Sequence, residues 1–363
     1  MEEVELMVTQ AASKVPDPAF WQGKRVLLTG HTGFKGAWCA MWLRALGANV
    51  TALALPPENG DNLFALAGVE SDCDSHFVDL RDGERVREIV EKSRPQIVLH
   101  LAAQALVRRS VRDPVTTWQS NVVGTLNLLQ ALRDLKDLEV VLVVTSDKVY
   151  ANDGQGRAFS EGDQLGGKDP YSASKAACEI LVRSMRETYF RDTPVATVRG
   201  GNVIGGGDFS EDRLAPDCVR AVCSGMPVIL RQPRATRPWQ HVLDCLCGYL
   251  LYAQALATRP SMPLAMNIGP ESAHDLPVLT FAEMLLMEMR RPDLLLIEEE
   301  KGSVEAPRLA LNPALARETL GWADRLVGAE AITATARWYN AWNAAADVAT
   351  LTRREIAAYQ GLE

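Results

Sequence analysis

The sequence contains no C-x-x-C pair, and of its seven cysteines only Cys245 and Cys247 lie close together. A disulfide scaffold and a thiolate zinc site both need more regular spacing, so reduced, buried thiols and no metal site are expected. Also missing is any apolar run approaching the ~18 residues that cross a bilayer. Met1 to Pro18 carries acids and no apolar signal core, so neither export nor a membrane association is expected, and the cytoplasm is the expected location. Positive charge is in deficit: 38 Lys plus Arg against 46 Asp plus Glu leave a net charge of -8. A nucleic-acid partner is therefore not expected. Repeats and low-complexity tracts are absent as well. What remains, 47% hydrophobic and 23% charged over 363 residues, is an ordinary globular composition, long enough for a sizeable core and two domains.

Strand-like and helix-like stretches alternate after Phe20. Strands are expected at Arg25–Thr29, Asn49–Leu55, Ser75–Val78, Ile97–His100, Val140–Val144 and Val195–Arg199. Between them, helices are expected at Lys35–Leu46, Asp82–Lys92, Asn121–Leu135 and Ser172–Tyr189. This alternation implies an α/β fold, a Rossmann-type doubly wound parallel sheet covered on both faces. An all-apolar run such as Val140 to Val144 fits a strand buried on both sides. Beyond Gly200 the rhythm breaks. The expected organisation is a loose leader over 1–19, a dinucleotide-binding domain over 20–200 and a smaller substrate-binding domain over 201–363. Part of 240–268 is expected to return to the first domain.

The first strand runs into Gly30-His31-Thr32-Gly33-Phe34-Lys35-Gly36, a G-x-x-G-x-x-G loop. A strand that turns at once into a helix, with its backbone close to a pyrophosphate, has no room for side chains at those positions. The helix N-terminus then directs N–H groups at the phosphates. Gly30, Thr32, Gly33, Phe34, Lys35 and Gly36 are accordingly candidate cofactor contacts. Lys35 either neutralises phosphate or is solvated, and His31 is expected to pack rather than react. Asp79 and Leu80, after the third strand, are candidates for the adenine. Leu101, Ala102, Ala103 and Gln104, after the fourth, leave room for the dinucleotide, and Thr145 ends the fifth. The second strand ends in Leu55-Pro56-Pro57, with neither an acid for a free ribose nor an arginine for a ribose phosphate. NAD is the expected cofactor.

Tyr171-Ser172-Ala173-Ser174-Lys175 places a phenol and an ammonium four residues apart, on one face of a helix. A nearby lysine lowers a tyrosine pKa and makes the phenol a usable general base. Following a glycine loop and a strand that ends Thr145-Ser146, this order resembles the short-chain dehydrogenase/reductase superfamily. In that superfamily Ser/Thr, Tyr and Lys act together on an alcohol or sugar hydroxyl, here Ser146, Tyr171 and Lys175. Directly after Ser146 come Asp147 and Lys148. A 4,6-dehydratase needs such an acid and base side by side, one for the C6 hydroxyl and one for the C5 proton. Related nucleotide-sugar dehydratases carry Asp-Glu there. A lysine can be the base only if burial or a neighbouring cation such as Lys175 depresses its pKa.

Further motifs make the likeness more specific. Phe20-Trp21-Gln22-Gly23, Leu55-Pro56, Thr145 to Lys148, Gly166-Gly167 before Asp169-Pro170-Tyr171, Arg199 to Asp208, Arg237-Pro238-Trp239-Gln240-His241-Val242 and Leu320-Gly321-Trp322 resemble the CDP-glucose 4,6-dehydratases. The resemblance covers roughly residues 20 to 360. It implies that Tyr171, aided by Lys175 and Ser146, deprotonates the glucose 4-hydroxyl while NAD takes the C4 hydride. It further implies that Lys148 removes the C5 proton, Asp147 protonates the departing 6-hydroxyl and hydride returns to C6. The implied product is a 4-keto-6-deoxy nucleotide sugar for bacterial surface polysaccharides. The chain departs from the pattern at Asn312, where Asp is usual, and at Glu305-Ala306-Pro307-Arg308, which lacks histidines common there.

The substrate diphosphate needs local cations on an acidic protein. Arg213, Arg231 and Arg237 are candidates, Arg237 beside Trp239 foremost, with Asn202 as a second contact. One of Arg108 and Arg109 is expected to reach the sugar, and Asn121 to support the site. His100 and His241 are expected to pack. A homodimer through helices near Pro114–Leu135 and Ser172–Tyr189 is expected by analogy. Three rival readings stay open: a nucleotide-sugar 4-epimerase, a dehydratase of another nucleotide sugar, and a non-catalytic dinucleotide sensor. An epimerase has no use for Asp147-Lys148, and a sensor has no use for Tyr171 and Lys175.

Overall fold

The structure, a computed structural model, describes residues 13–58, 60–152, 154–298 and 309–362. Glu305 to Arg308, singled out above, lie outside the described residues. Seven parallel strands form the central sheet: β1 (Arg25–Thr29), β2 (Asn49–Ala54), β3 (Asp74–Phe77), β4 (Ile97–His100), β5 (Val140–Val144), β6 (Val195–Gly200) and β7 (Ala265–Ile268). Their spatial order is β7-β6-β5-β4-β1-β2-β3. The chain therefore winds outward from β1 in one direction and from β4 in the other. A crevice opens between these two at the carboxyl ends of the strands. In β5 no residue is more than 5% exposed, as its unbroken Val-Val-Leu-Val-Val run implies. The third strand begins and ends one residue earlier than expected.

Helices cover both faces: α1 (Phe34–Ala45), α2 (Gly83–Ser93), α3 (Val107–Arg112), α4 (Pro114–Trp118), α5 (Gly124–Leu132), α6 (Pro170–Tyr189), α7 (Leu214–Ser224) and α8 (Val242–Thr258). One core lies between the sheet and α1, α8 and the C-terminal helices, with Trp38, Trp42, Trp322 and Trp338 fully buried in it. The other lies beneath α2, α5 and α6, around Leu27, Val98, Leu128, Val141 and Val182. Each such fully buried aliphatic side chain contributes roughly 1.5–3 kcal/mol.

Three expectations need correction. The single helix over Asn121–Leu135 is instead α4, a π-helical turn over Gln119–Val123, and α5. The wide turn sets Asn121 inward, where its amide is fully used, and π-turns of this kind recur at functional sites. The supposed loose leader is docked at least from Ser13. Lys14 N–H donates to Gly321 O at 3.0 Å, Ser13 Oγ to Ala323 O at 2.7 Å, and Gln360 Nε2 to Pro16 O at 2.6 Å. Apolar side chains at Val15 and Trp21 pack on the first core, which outweighs the freedom of a polar terminus. Third, β6 extends through Gly200. The chain returns to the sheet by α8 and by β7, which pairs with β6.

Among the described residues no helix is long and apolar enough to cross a membrane. All seven cysteines are free.

Candidate active site

At the end of β5 the chain turns sharply. Ser146 caps a short 3-10 turn over Asp147–Val149, its Oγ accepting from Lys148 N–H at 3.2 Å and donating to Asp147 Oδ1 at 3.0 Å. The turn exists because a Ser at that position satisfies the first free N–H. It presents Asp147, 2% exposed, and Lys148, whose Nζ lies 3.8 Å from Asp147 Oδ1 and whose side chain stays 29% exposed. Lys148 is thus at the cavity surface rather than buried. Asp147 Oδ2 is buried without a hydrogen-bond partner.

Opposite stands the start of α6. Asp169 caps it, accepting from Ser172 N–H at 3.0 Å, and Pro170 at the first position fixes its direction. Tyr171 and Lys175 then face the same side, both lining the cavity with Ser146, Asp147 and Lys148. Lys175 Nζ donates to Val144 O at 2.9 Å. Burial lowers its pKa to about 8, assisted by the charge of Lys35. The expectation that Lys175 depresses the Tyr171 pKa is not met. Burial dominates and pushes the phenol up to about 12, while the Ser146 hydroxyl and the Arg213 charge pull the other way.

Behind the site lies a buried ionic network that sequence reading missed. Glu179, one turn beyond Lys175, accepts from Thr145 Oγ1 (2.6 Å), Thr197 Oγ1 (2.7 Å), Arg199 Nε (2.9 Å) and Arg199 Nη2 (2.8 Å). Arg199 Nη1 also donates to Tyr150 OH at 2.7 Å, and Tyr150 to Asn267 Oδ1 at 2.7 Å. Thr145 borders the cavity, and its hydroxyl anchors the strand end to α6. The i, i+4, i+8 spacing of Tyr171, Lys175 and Glu179 was the available signal.

In the glycine loop, Gly30 has φ +83°, and an added Cβ would sit 2.8 Å from Ala102 N. A Cβ at Gly36 would sit 1.9 Å from Gly30 O. Gly33 caps α1 with no side chain bonded to its first N–H groups, so these donors stay open to a ligand. Thr32 Oγ1 donates to Leu55 O at 2.9 Å. Lys35 is turned inward rather than into open solvent. Its ammonium lies 5.5 Å from the centroid of the Tyr249 ring and borders the catalytic cavity, where burial lowers its pKa. His31 packs, edge-on to Phe64 and bonded to Ser75 Oγ at 2.7 Å, and burial depresses its pKa to about 4. His100 bridges Thr29 and Thr125 at 2.7 and 2.9 Å, and burial depresses its pKa to about 3.

Asp79 is committed to Arg81, which donates from N, Nε and Nη2 at 2.9, 2.9 and 2.6 Å. Leu80 is buried beside Gly124. Leu101 and Ala103 border the cavity, and Ala102 N–H donates to Thr29 Oγ1 at 3.0 Å. Gln104 and Asn121 hold each other: Asn121 accepts from Gln104 N–H at 2.8 Å and donates to Gln104 O at 3.1 Å and Ser174 Oγ at 2.8 Å. The Asn121 amide is thus spent internally, only 1% exposed and outside the cavity lining.

The cavity has a volume of about 1140 Å³ and extends from the catalytic turn to α7. Asn202, Arg213, Arg231, Arg237 and Trp239 all line it. Arg237 is buried, Arg213 is paired with Asp208 at 3.3 Å, and Arg231 is exposed. Trp239 stacks on Phe281 with centroids 4.1 Å apart. At the mouth, Arg108 pairs with Asp212 at 3.3 Å, and Arg109 with Glu58 and Glu211. Arg108 lines the cavity, whereas Arg109 is held outside it. Glu58, which follows the two prolines beyond β2, is an acid engaged by Arg109.

The model of the NAD dependent epimerase/dehydratase family matches residues 26–269. The chain is 37% identical over 351 residues to a CDP-glucose 4,6-dehydratase of Salmonella typhimurium, covering 94% of this chain and 98% of that one. It is 30% identical over 336 residues to a dTDP-glucose 4,6-dehydratase of Xanthomonas campestris pv. campestris, covering 86% and 92%. A dTDP-glucose 4,6-dehydratase of Streptomyces venezuelae, solved with NAD bound, superposes with a TM-score of 0.77 at 24% identity, covering 88% of this chain and 98% of that one.

Proposed function

The chain belongs to the NAD dependent epimerase/dehydratase family, and from that premise we propose that it dehydrates CDP-glucose to CDP-4-keto-6-deoxyglucose with NAD as its resident cofactor. The carrying observation is the Ser146-Asp147-Lys148 turn, which sets a carboxyl and an amine together across a cavity from Tyr171 and Lys175. An epimerase interconverts only C4 and has no work for that pair.

The glycine loop fits a dinucleotide: side chains at Gly30 and Gly36 would break it, and the first N–H groups of α1 are uncapped. Gly30 to Gly36 would hold the pyrophosphate, and Leu101 to Ala103 would flank the dinucleotide. When bound, NAD accepts a hydride from the sugar C4 and returns it to C6. Tyr171 takes the 4-hydroxyl proton, with Lys175 holding positive charge beside it and Ser146 hydrogen-bonding the reacting oxygens. Once C4 is a ketone, the C5 proton is acidic, and Lys148 removes it. Asp147 protonates the 6-hydroxyl, and water leaves. Arg213, Arg231 and Arg237 take the diphosphate, with Asn202 and Trp239 beside them. Residues 20–200, completed by α8 and β7, act as the cofactor domain, and the remainder of the chain after Gly200 acts as the substrate domain.

Two wider features belong to the same reading. The product feeds deoxysugar synthesis for bacterial surface polysaccharides, made in the cytoplasm. Val115, Trp118, Leu126 and Ile180 are exposed on α4, α5 and α6 and suit a homodimer interface.

The test is incubation with NAD and, separately, CDP-, dTDP-, UDP- and GDP-linked glucose or mannose, with products identified by mass and NMR. Loss of water from CDP-glucose supports the reading. Interconversion at C4 without water loss makes the protein an epimerase, and loss of water from another nucleotide sugar overturns the substrate. Lys148→Met is expected to lower kcat by roughly 10²–10⁴ while NAD binding is kept.

A further inference from the structure

The dinucleotide crevice is crossed by ion pairs that the reaction does not use. In the sheet, β1 lies between β2 and β4, so the glycine loop after β1 is flanked by the segments that follow those two strands. Both flanks are hydrogen-bonded to the junction of β1 and the loop. On the β2 side, Gly30 N–H donates to Leu53 O at 2.7 Å and Thr32 Oγ1 to Leu55 O at 2.9 Å. On the β4 side, Leu101 N–H donates to Thr29 O at 3.2 Å and Ala102 N–H to Thr29 Oγ1 at 3.0 Å. The first flank then runs through Pro56 and Pro57 to Glu58, and the second runs into α3 and Arg109. There the two meet again. Arg109 Nη1 and Nη2 donate to the two oxygens of the Glu58 carboxylate, the second at 3.1 Å. Loop, flanks and ion pair thus close a ring at the uncapped N-terminus of α1. A pyrophosphate held on those N–H groups would lie within that ring.

The ring is tied in turn to the part of the chain after Gly200. Arg109 Nε donates to Glu211 Oε1 at 3.1 Å, and Arg112 Nη2 donates to the same oxygen at 2.8 Å. Beside them Arg108 Nη1 lies 3.3 Å from Asp212 Oδ1. Asp212 sits at φ +56°, a region that residues other than glycine enter seldom. Arg109 therefore holds one carboxylate from each side of the crevice, Glu58 and Glu211. A planar guanidinium with five donors is suited to bridging two carboxylates at once. The Arg109 hydrogen bond holds the Glu58 carboxyl below its ordinary range, so the pair stays ionised at neutral pH. Side-chain exposure is 35% at Arg109, 45% at Glu211 and 76% at Glu58. Ion pairs so wetted add little to fold stability, and they can open.

We propose that Arg109, bridging Glu58 and Glu211, is an ionic strap across the dinucleotide crevice, closed over bound NAD and opened to admit or release it. The strap rests on NAD being the resident cofactor. Such a cofactor leaves each turnover in the form in which it entered and has no need to dissociate. The strap covers the cofactor without holding its atoms, so it slows entry and exit alike. A direct contact would act differently, by slowing exit alone.

The test follows cofactor exchange on the full chain in the absence of any sugar. Release is started by mixing NAD-loaded protein with excess fluorescent etheno-NAD, and entry by mixing cofactor-free protein with the same analogue, both in stopped flow. Arg109→Gln and Glu58→Gln are each expected to raise entry and release rates together, by about three- to tenfold, with Kd unchanged within about twofold. The double variant is expected to be no faster than Arg109→Gln, because either change breaks the same pair. In the wild type both rates should rise with salt between about 0.05 and 0.5 M, and in Arg109→Gln they should rise less. Wild-type exchange rates in Arg109→Gln overturn the strap. So does faster release with unchanged entry, which would make these side chains direct contacts of the cofactor. If Arg109→Gln does not fold, Glu58→Gln and the wild-type salt series decide between the same outcomes. A protein that binds no NAD at all defeats the underlying reading, whereas NAD binding with rates indifferent to both substitutions and to salt defeats the strap alone.

Discussion

Glu179 and Arg199 each keep only 4% of their side chains exposed, and together they tie α6, β5 and β6 at the point where the catalytic turn begins. Two charges so placed are expensive to desolvate, and they persist because nearly every lone pair and proton has a partner. Thr145 and Thr197 hydroxyls complete the carboxylate, and Tyr150 and Glu161 O complete the guanidinium. Glu179→Gln leaves Arg199 charged in a buried place without its counter-ion. Stability is expected to fall by about 3–5 kcal/mol, seen as a lower denaturant midpoint at unchanged slope. An unchanged midpoint would mean that the Thr, Tyr and backbone partners alone suffice. The same balance of burial against partners governs the titration of the site. Lys175 is pushed down to about 8 and Tyr171 up to about 12. Both shifts have burial as their largest cause. The protein therefore brings its general base to the cavity as a phenol, and ionising it falls to the charges that gather around it.

The glycine loop and the catalytic turn are short elements whose conformations come from adjacent residues. In the loop, β1 passes into α1 with Gly30 at positive φ and with Gly36 packed on the Gly30 carbonyl. Gly36→Ala would force a methyl group to within 1.9 Å of Gly30 O, a backbone atom that cannot move aside without opening the loop. NAD affinity, measured by calorimetry, is expected to fall by about ten- to a hundredfold. An unchanged affinity would show that the loop can shift and still bind. Gly33 differs, since a Cβ there would stay 3.5 Å from its nearest neighbour, Gly30 O, an ordinary contact distance. In the catalytic turn, Ser146 serves as cap and as hydrogen-bond donor to Asp147 at once, so local geometry and proton chemistry are inseparable there.

At the scale of the whole chain, the apolar residues on α4, α5 and α6 remain unsatisfied by the fold. Val115 and Ile180 are 64% and 53% exposed, and Trp118 is 41% exposed. A second copy of the chain covering this face would bury them. Light scattering is expected to give a dimer for the wild type and a monomer for the Trp118→Glu, Ile180→Glu double variant. A monomeric wild type would overturn the interface.

The alternation of strands and helices, the glycine loop, the Tyr171–Lys175 pair and the Ser146-Asp147-Lys148 run could all be read from the residues, because each depends on neighbours within a few positions. Periodicity and steric need act at that range, and little elsewhere in the chain can override them. Other features depended on which distant segments the fold brings together. Lys35 reads as a loop lysine, yet it ends over Tyr249, a residue of α8. Asn121 reads as a supporting residue, but only the fold shows that the π-turn spends its amide on Gln104 and Ser174. Glu58 and Arg109, Glu179 and Arg199, and Ser13 and Ala323 meet across intervening stretches of chain that carry no trace of the pairing. Residue type and spacing thus settled the chemistry that could be performed and the elements that carry it. Tertiary packing alone decided which charged groups lie in the cavity, how far burial shifts them and which polar atoms are already spent, because desolvation and long-range pairing are properties of the assembled core.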